Sequence, residues 1–255
     1  MKVKVIASGS KGNSTLVISD NTKILIDAGV NYKRIKDTFD NMNININELD
    51  GVLITHTHSD HIGGLSSLIK KVDIPVFIKE ELYPEIKKII PSKNIVIVDE
   101  NNITINTLDI EIFSISHDVA AFGFIINDDK NKIMYLTDTG YINRKYYERL
   151  KNLDAYIIES NHDEKMLMEG PYPYILKQRV ISDKGHLSNR YTGKFLNKVI
   201  GDKTKYIVLA HLSENNNTIE LALSEVKDEL KDNIYLSNIT IMDAKQHIDT
   251  ELVEV

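Results

Sequence analysis

Four side chains that commonly bind metal ions lie within six consecutive positions of this sequence: His56, His58, Asp60 and His61. His56 and His58 are two residues apart, so an extended segment directs both rings to the same side. Desolvating four polar side chains this close together costs free energy unless a metal ion compensates them. The run therefore predicts a metal site, and four ligands are enough to serve two neighbouring ions.

Composition narrows the chemistry of that site. The chain has 255 residues and no cysteine, so its metal ligands must be nitrogen and oxygen atoms, a set that suits zinc, manganese or iron. Apolar and charged fractions of 42% and 27% are those of a globular protein. Neither a linker nor a repeat divides the sequence, so we expect residues 1–255 to form a single domain.

Composition also bounds where the protein acts and what it binds. The N-terminus is too polar for a signal peptide, and no apolar run approaches the length of a membrane span. We therefore expect a cytoplasmic protein without a membrane partner. A net charge of -6 disfavours binding along extended nucleic acid, but it is compatible with nucleic-acid ends or small nucleotides.

Alternating and apolar runs predict short strands, and several of these end directly in an acid or a histidine. The five endings are Asp27, His56, Asp138, Glu159 and His211. A buried strand holds its end rigidly, so we expect these polar groups to converge along one edge of the sheets. Helical patterns at 32–39, 62–71, 144–152, 189–200 and 218–231 complete a layered α/β architecture.

The pattern His56-x-His58-x-Asp60-His61 resembles the signature of the metallo-β-lactamase superfamily, and the similarity extends over nearly the whole chain. The resemblance implies a four-layer αββα sandwich with two divalent ions at one edge of the sheets, zinc being favoured over manganese. It also implies the ligands. For one ion these are His56, His58 and His117, for the second Asp60, His61 and His211, with Asp138 as the bridging carboxylate and Asp27 as the acid supporting the ligand loop.

Two further residues separate the branches of this superfamily. Glu159 ends a strand after Asp138, and His186 precedes His211 by 25 positions (211 − 186). In superfamily nucleases such as tRNase Z, an acid and a histidine at comparable places form a pair whose histidine protonates the leaving oxygen. The resemblance implies that His186 and Glu159 act in catalysis with Asp60. A structural acid and a histidine that merely precedes a helix are the alternative.

Longer motifs narrow the resemblance to the YycJ/WalJ-type branch, whose members are regarded as DNA exonucleases. The motifs are SGSKGNS (8–14), ESNHD (159–163), GPYP (170–173), LKQR (176–179), GHLSN (185–189) and HLS (211–213). The anti-Pycsar phosphodiesterases, which open cyclic mononucleotides, share the same pattern. Only 73 positions (211 − 138) separate Asp138 from His211, which leaves no room for the insertion of members that process long RNA.

Two polar segments are candidates for substrate binding. The turn 8–14 offers Ser10, Asn13 and backbone amides that would cradle a phosphate, and a polar hairpin loop is the alternative. The segment 170–179 would form a lid in which tyrosines stack on a base while Lys177 and Arg179 meet phosphate. A structural proline turn with aromatic packing is the alternative for this segment.

Together these features predict a dinuclear-metal phosphodiesterase whose favoured substrate is the end of a nucleic acid. Opening of 3′,5′-cyclic mononucleotides is the alternative substrate. Thioester hydrolysis is a third one, and it predicts no role for His186. A non-catalytic, metal-stabilised binding module would require a missing ligand, yet every ligand position is filled. Assembly into a homodimer is left open.

Overall fold

The computed structural model describes all 255 residues, and its frame is a pair of seven-stranded β-sheets. Numbered along the chain, the strands of the first sheet are β1 (Lys2–Ala7), β2 (Ser14–Ser19), β3 (Thr22–Ile26), β4 (Gly51–Leu53), β5 (Val76–Ile78), β6 (Ile95–Ile97) and β14 (Val253–Glu254). They lie in the order β14-β1-β2-β3-β4-β5-β6. Pairing is antiparallel from β14 to β3 and parallel from β3 to β6.

The second sheet is also half antiparallel and half parallel. Its strands are β7 (Asn102–Ile105), β8 (Leu108–Ile115), β9 (Ala121–Asn127), β10 (Lys132–Leu136), β11 (Ala155–Glu159), β12 (Tyr206–Ala210) and β13 (Thr240–Asp243). They lie in the order β13-β12-β11-β10-β9-β8-β7, antiparallel from β7 to β10 and parallel from β10 to β13.

Parallel pairing brings the ends of the central strands to a common edge. In the second sheet Glu159 pairs with Ala210, so the residues that follow β11 and β12 emerge side by side. In the first sheet Ile26 pairs with Leu53, so the ends of β3 and β4 are adjacent as well. The polar strand endings expected from the sequence therefore lie where the carboxyl ends of parallel strands meet, the usual site edge of open α/β sheets.

Eight α-helices and five short 3-10 turns connect the strands. The helices are α1 (Tyr32–Asn41), α2 (Ser59–Ile62), α3 (Leu65–Ile69), α4 (Tyr83–Ile86), α5 (Glu164–Glu169), α6 (Tyr174–Val180), α7 (Asn189–Val199) and α8 (Ile219–Leu230). The 3-10 turns are Ile46–Glu48, Glu80–Leu82, Ser92–Asn94, Arg144–Tyr146 and Leu236–Asn238. The predicted helices at 32–39, 189–200 and 218–231 are confirmed as α1, α7 and α8. None of the helices combines the length and apolar character that crossing a bilayer demands.

Two predicted helices differ from the structure. The helix expected at 62–71 begins earlier, at Ser59, and is split into α2 and α3 at Gly63 and Gly64. A Cβ on Gly64 would lie 1.7 Å from the Val30 carbonyl oxygen, so the backbones cross too closely for any other residue. Of the helix expected at 144–152, only one 3-10 turn forms, and the segment ends where Asn152 turns left-handed and donates its N–H to the Val199 carbonyl of α7.

Alternate residues of the second sheet face two different apolar layers. Ile133 and Tyr135 of β10 pack between the two sheets, whereas Met134 and Leu136 pack beneath α7 and α8. The first sheet is covered on its other side by α1 and α3, with Phe39 fully buried there. The order helix, sheet, sheet, helix is the four-layer αββα sandwich predicted from the sequence.

Truncation of Leu196 tests this layering. Leu196 on α7 is fully buried in the layer between that helix and the second sheet. We expect Leu196→Ala to lower the free energy of unfolding by about 2–5 kcal/mol, because it leaves a cavity. Ile234→Ala is the control, since Ile234 is 81% exposed, and it should change the free energy by less than about 0.5 kcal/mol. Urea unfolding measures both, and equal values would contradict the location of this core.

Candidate metal centre

Three residues of the site follow strands in a backbone conformation that residues other than glycine seldom adopt. Asp27 after β3, Asp138 after β10 and His211 after β12 have φ angles of 61°, 60° and 54°. A left-handed backbone of this kind costs about 1–3 kcal/mol in a residue with a Cβ, so surrounding contacts must hold it. Such positions concentrate at functional sites, because the sharp turn there aims the side chain.

Three histidines, His56, His58 and His117, form the first group of candidate ligands. Their ligand atoms lie within 4.8 Å of one another, and Nε2 of His117 is 3.3 Å from Nδ1 of His58. His56 and His58 follow β4, and their ring centroids are 4.8 Å apart, so the two rings do leave the chain toward the same side. His117 follows β8 and is buried, which places it in this group and not on a surface loop.

Asp60, His61 and His211 form the second group, with ligand atoms again within 4.8 Å of one another. Nδ1 of His61 lies 2.7 Å from Oδ2 of Asp27. The Asp27 carboxylate also accepts the N–H of Thr55 at 2.8 Å, which anchors it to the segment carrying the first group. Asp27 therefore orients His61 with Nε2 directed to the centre, as a carboxylate behind a ligating histidine does.

Asp138 lies between the two groups. Its carboxyl belongs to one cluster with His56 and His61, and to another with His211. Oδ2 of Asp138 is 3.2 Å from Nε2 of His61, and its Oδ1 is 3.4 Å from Nδ1 of His211. The Asp138 carboxylate is therefore within reach of ions bound by either group of candidate ligands.

Several buried polar atoms of this centre have no hydrogen-bond partner. Among them are Nε2 of His56, Nδ1 of His117 and Nε2 of His211. Each unsatisfied buried polar atom costs about 1–3 kcal/mol, so the centre is built for something that compensates them. Divalent cations do so, and a donor set of nitrogen and oxygen fits zinc, manganese or iron. The residues of this chain therefore fit bound metal ions.

The acids and histidines of the centre shift one another's pKa values. Burial raises the pKa of the Asp138 carboxyl, but the charges on His211 and His61 outweigh burial and hold it well below its usual range. Burial lowers the pKa of His61, yet Asp138 and Asp27 overcome this and raise it to about 10. Burial and the charge on His61 lower the pKa of His56 far below its usual value. Protons on the histidines thus offset the negative charge of the buried carboxylates, and these protons must be released when metal ions bind.

His186 and Glu159 form a hydrogen-bonded pair beside the ligands. Nδ1 of His186 lies 2.7 Å from Oε1 of Glu159, which leaves Nε2 to exchange a proton. The fully buried Glu159 carboxylate also accepts the N–H groups of Thr139 at 3.0 Å and Leu187 at 3.1 Å. Burial lowers the pKa of His186, but the charge and hydrogen bond of Glu159 outweigh burial, so the net shift is upward.

Glu159 has a further partner that no sequence pattern indicated. Its Oε1 lies 2.9 Å from Nδ1 of His211, so one carboxylate orients both a metal ligand and His186. The contact depends on the pairing of β11 with β12, which sets Glu159 opposite Ala210, the residue before His211. A register between distant strands has no local signal in the sequence.

A cavity of about 300 Å³ opens over the metal centre. Ser10 and Arg179, two of the four residues predicted to bind substrate, line its wall. Asn161, Leu176 and Ser213, which belong to the motifs quoted above, also line the wall, together with Val180 and Asn216, which no motif indicated. Tyr172 also lines the wall, and it lies in the tyrosine-containing segment predicted as a lid.

The other two residues predicted to bind substrate point elsewhere. Asn13 is fully buried, and its amide donates to the Gly9 carbonyl at 3.0 Å and the Asp60 carboxylate at 3.2 Å. The Lys177 ammonium donates to the Met168 carbonyl at 2.6 Å and takes no part in the cavity wall. The polar groups of Asn13 and Lys177 thus bond within the protein, and substrate binding at these two positions stays a prediction.

The turn 8–14 supports metal ligands. The Ser8 hydroxyl accepts the N–H of His211 at 2.7 Å, and the N–H of Asn13 donates to the Asp60 carbonyl at 2.7 Å. A Cβ on Gly29 would lie 1.7 Å from that same Asp60 carbonyl oxygen, so the backbones pack here without space for a side chain. The turn holds the second group of ligands in place through its backbone and small polar side chains.

Asp118 links the first group of ligands to α6. Its Oδ1 is 3.3 Å from Nε2 of His58 and 3.3 Å from Nε2 of His117, and its Oδ2 accepts from the Arg179 guanidinium. These contacts join the loop after β8 to the loop after β4 and to α6.

Replacing Asp27 with asparagine tests how the second group is held. Asparagine keeps the size of the side chain and tolerates the left-handed backbone, but it removes the charge that binds His61. We expect metal affinity to fall about 10- to 100-fold, measured by competition with a chelating dye. Asp37→Asn, on the exposed face of α1, should leave the affinity unchanged. Normal affinity in Asp27→Asn would argue against the orienting role.

Comparisons with known proteins agree with this geometry. Residues 22–212 match the family model described as the beta-lactamase superfamily domain. The chain is 38% identical over 233 residues to exodeoxyribonuclease YycJ of Bacillus anthracis, a match that covers 89% of this chain and 88% of the relative. Over 71 residues, 26% of this chain and 28% of the relative, it is 37% identical to the anti-Pycsar protein Apyc1 of Saccharibacillus brassicae.

The solved structures show the same fold. The metallo-beta-lactamase fold protein YhfI of Bacillus subtilis aligns with a TM-score of 0.74 over 98% of this chain and 99% of that chain, at 19% identity. Layer order, strand-end ligands and the family match lead to one conclusion. This chain belongs to the beta-lactamase superfamily, has the metallo-β-lactamase fold, and is a metal-dependent hydrolase.

Proposed function

We propose that this protein hydrolyses phosphodiester bonds at the ends of nucleic acids, using two divalent ions. The hydrogen bond of 2.7 Å between His186 and Glu159 carries the proposal. A phosphodiester expels an alkoxide, and this departure benefits from a positioned proton donor. A thioester expels a thiolate that leaves without one, so the pair favours the phosphodiester. The relative YycJ, an exodeoxyribonuclease, supports the same class of substrate.

The side chains around the cavity divide the reaction between them. Ions held by the two groups of ligands would lower the pKa of water and offset phosphate charge. Asp60, at the cavity wall, accepts a hydrogen bond from the attacking water and orients it. The water oxygen gives one proton to the Asp60 carboxylate and bonds to phosphorus while the bond to the leaving oxygen breaks. Nε2 of His186 gives its proton to that oxygen, and Glu159 keeps the ring aligned through Nδ1.

Arg179 is the residue that meets the substrate phosphate at the mouth of the cavity. Its side chain is 60% exposed and paired with Asp118, so the guanidinium is held over the wall before a substrate arrives. A phosphate offers the same planar pair of acceptor oxygens as the Asp118 carboxylate. Ser10 adds a hydroxyl on the wall of the same cavity.

A second candidate function is the opening of 3′,5′-cyclic mononucleotides. The local similarity to Apyc1, named as an anti-Pycsar protein, favours it, although that match covers only 26% of this chain. A cavity of about 300 Å³ is at the lower end of the sizes that hold small ligands. The same proton donor would serve, because ring opening also expels an alkoxide.

Parallel assays separate these candidates. End-labelled DNA, a 3′,5′-cyclic nucleotide and an acyl thioester are each incubated with enzyme loaded with zinc or manganese. We expect stepwise shortening of the DNA, with little opening of the cyclic nucleotide. Rapid opening of the cyclic nucleotide with DNA left intact would move the assignment to the second candidate. Thioester cleavage alone would overturn both.

Replacement of His186 tests the proton donor. We expect His186→Ala to lower the turnover of DNA by about 10²- to 10⁴-fold, the usual range for general acid catalysis, with metal content unchanged. The loss should be smaller for a p-nitrophenyl diester, whose leaving oxygen needs no proton. His247→Ala is the matched control, because His247 is an exposed histidine paired with Glu214. Equal losses on both substrates would rule out the donor role.

A further inference from the structure

A second depression lies beside the loop that carries Asp138. It has a volume of about 450 Å³ and runs between residues 141–147 and one face of α7. We call it the α7 groove, and its polar and aromatic lining consists chiefly of Tyr141, Arg144, Tyr147, Tyr191, Lys194 and Lys198. It contains none of the metal ligands, so the mechanism above makes no use of it.

One wall of the α7 groove follows from helical periodicity. Tyr191, Lys194, Phe195 and Lys198 are spaced i, i+3, i+4 and i+7, so they share one face of α7. Phe195 is buried and anchors this face to the core, while both lysines are exposed. The wall therefore has an apolar base and a charged rim.

The α7 groove is positively charged, although the protein as a whole is not. Arg149 and Arg190 nearby are neutralised by ion pairs with Glu111 and Glu229. Arg144, Lys194 and Lys198, by contrast, belong to no ion pair, and the groove is lined by no acidic residue. In a chain with a net charge of -6, three unpaired cations around one depression favour an anionic ligand.

Tyrosine rings line the same depression. Tyr141 is 36% exposed, and Tyr147 and Tyr191 are half-buried with part of each ring open to solvent. Tyr147 packs edge-on against Phe195, with ring centroids 5.2 Å apart, which fixes its orientation. Fixed aromatic faces beside cations are the combination that binds single-stranded nucleic acid, because bases stack on the rings while phosphates meet the charges.

The α7 groove is connected to the catalytic residues by a single turn. Tyr141 comes three residues after Asp138, and between them the Thr139 hydroxyl donates to the Tyr141 carbonyl at 2.9 Å. The N–H of Thr139 donates to Glu159 at 3.0 Å. A smaller depression of about 220 Å³, lined by Ser116 and Tyr141, lies next to His117. The turn that presents the bridging carboxylate therefore also forms the near end of the groove.

We propose that the α7 groove binds a single-stranded segment of the nucleic-acid substrate beyond the end that enters the metal centre. This inference rests on the proposed function, and it makes the substrate a strand several nucleotides long. A duplex has its base faces already stacked, and an acidic peptide has no base faces, so neither uses the tyrosines. The strand matches both the charge and the rings of the groove.

Replacement of the two groove lysines by alanine tests the inference. Lys194→Ala/Lys198→Ala is compared with Lys227→Ala/Lys231→Ala, which removes two exposed lysines of the same spacing at α8, outside the groove. The probe is a labelled phosphorothioate oligothymidylate of about 16 nucleotides, which covers a typical single-strand site and resists cleavage. Binding to the metal-loaded protein is followed by fluorescence anisotropy over a range of salt concentrations, with poly-glutamate as a second ligand.

We expect the groove variant to bind the oligothymidylate about tenfold more weakly at 0.1 M salt. The negative slope of log K against log salt should become shallower by about 1.4, because two phosphate contacts are lost. The α8 variant should match the wild type, and both should hydrolyse a p-nitrophenyl diester normally. Tyr191→Leu should weaken binding without changing the salt slope, because it removes stacking and no charge.

The other outcomes separate this inference from the proposed function. Equal losses in the two lysine variants, or equally tight binding of poly-glutamate, would overturn the inference. Normal hydrolysis of diesters by a protein that does not bind the oligothymidylate would also overturn it, while leaving the hydrolase function intact. Lysine-dependent binding by a protein that cleaves no phosphodiester would support the groove and refute the proposed reaction.

Discussion

The buried carboxylate of Asp138 is the constraint on which the rest of the site depends. A charged group at this depth must be compensated, and its neighbours are arranged to do so with His61 on one side and His211 on the other. Protons on these rings, or divalent cations between the two groups of ligands, supply the positive charge. The left-handed backbone at Asp138 and His211 follows the parallel strands β10 and β12, and the contact between the two buried side chains helps to hold it.

Glu159 extends that constraint from metal binding to proton transfer. A single oxygen of this buried acid lies within hydrogen-bond distance of both His211 and His186. When one of the two rings loses its proton, the carboxylate attracts the other ring more strongly. The ligand His211 and the proton donor His186 are therefore electrostatically coupled. Its second oxygen is fixed by two backbone N–H groups, which prevents the carboxylate from rotating between its partners.

How much of this could be predicted from the sequence depends on the length scale of each interaction. The short-range pattern of His56, His58 and His61 was sufficient to recognise the family resemblance, which implied the fold and the ligands, and the apolar runs before Asp138 and His211 indicated polar strand ends. The contact of Glu159 with His211 and the partners of Asn13 and Asp118 were not predictable in this way, because each of these contacts joins segments whose register is set only by tertiary packing. Asn13 is the clearest case: its polar loop suggested a phosphate cradle, yet the close backbone crossing at Gly29 buries the side chain against Asp60.

Net charge is a weak guide to the substrate for a related reason. The net charge does not show which charges are paired. Many acidic residues of this protein form ion pairs with neighbouring lysines or lie in the metal centre. The helical spacing of Lys194 and Lys198 is visible in the sequence, but the tyrosines opposite them come from a loop about 50 positions earlier. Phosphates respond to the local potential of a surface, which falls off within about 10 Å at ordinary salt. An acidic protein can therefore bind a nucleic acid, provided that its unpaired cations lie together beside the site where the strand is cut.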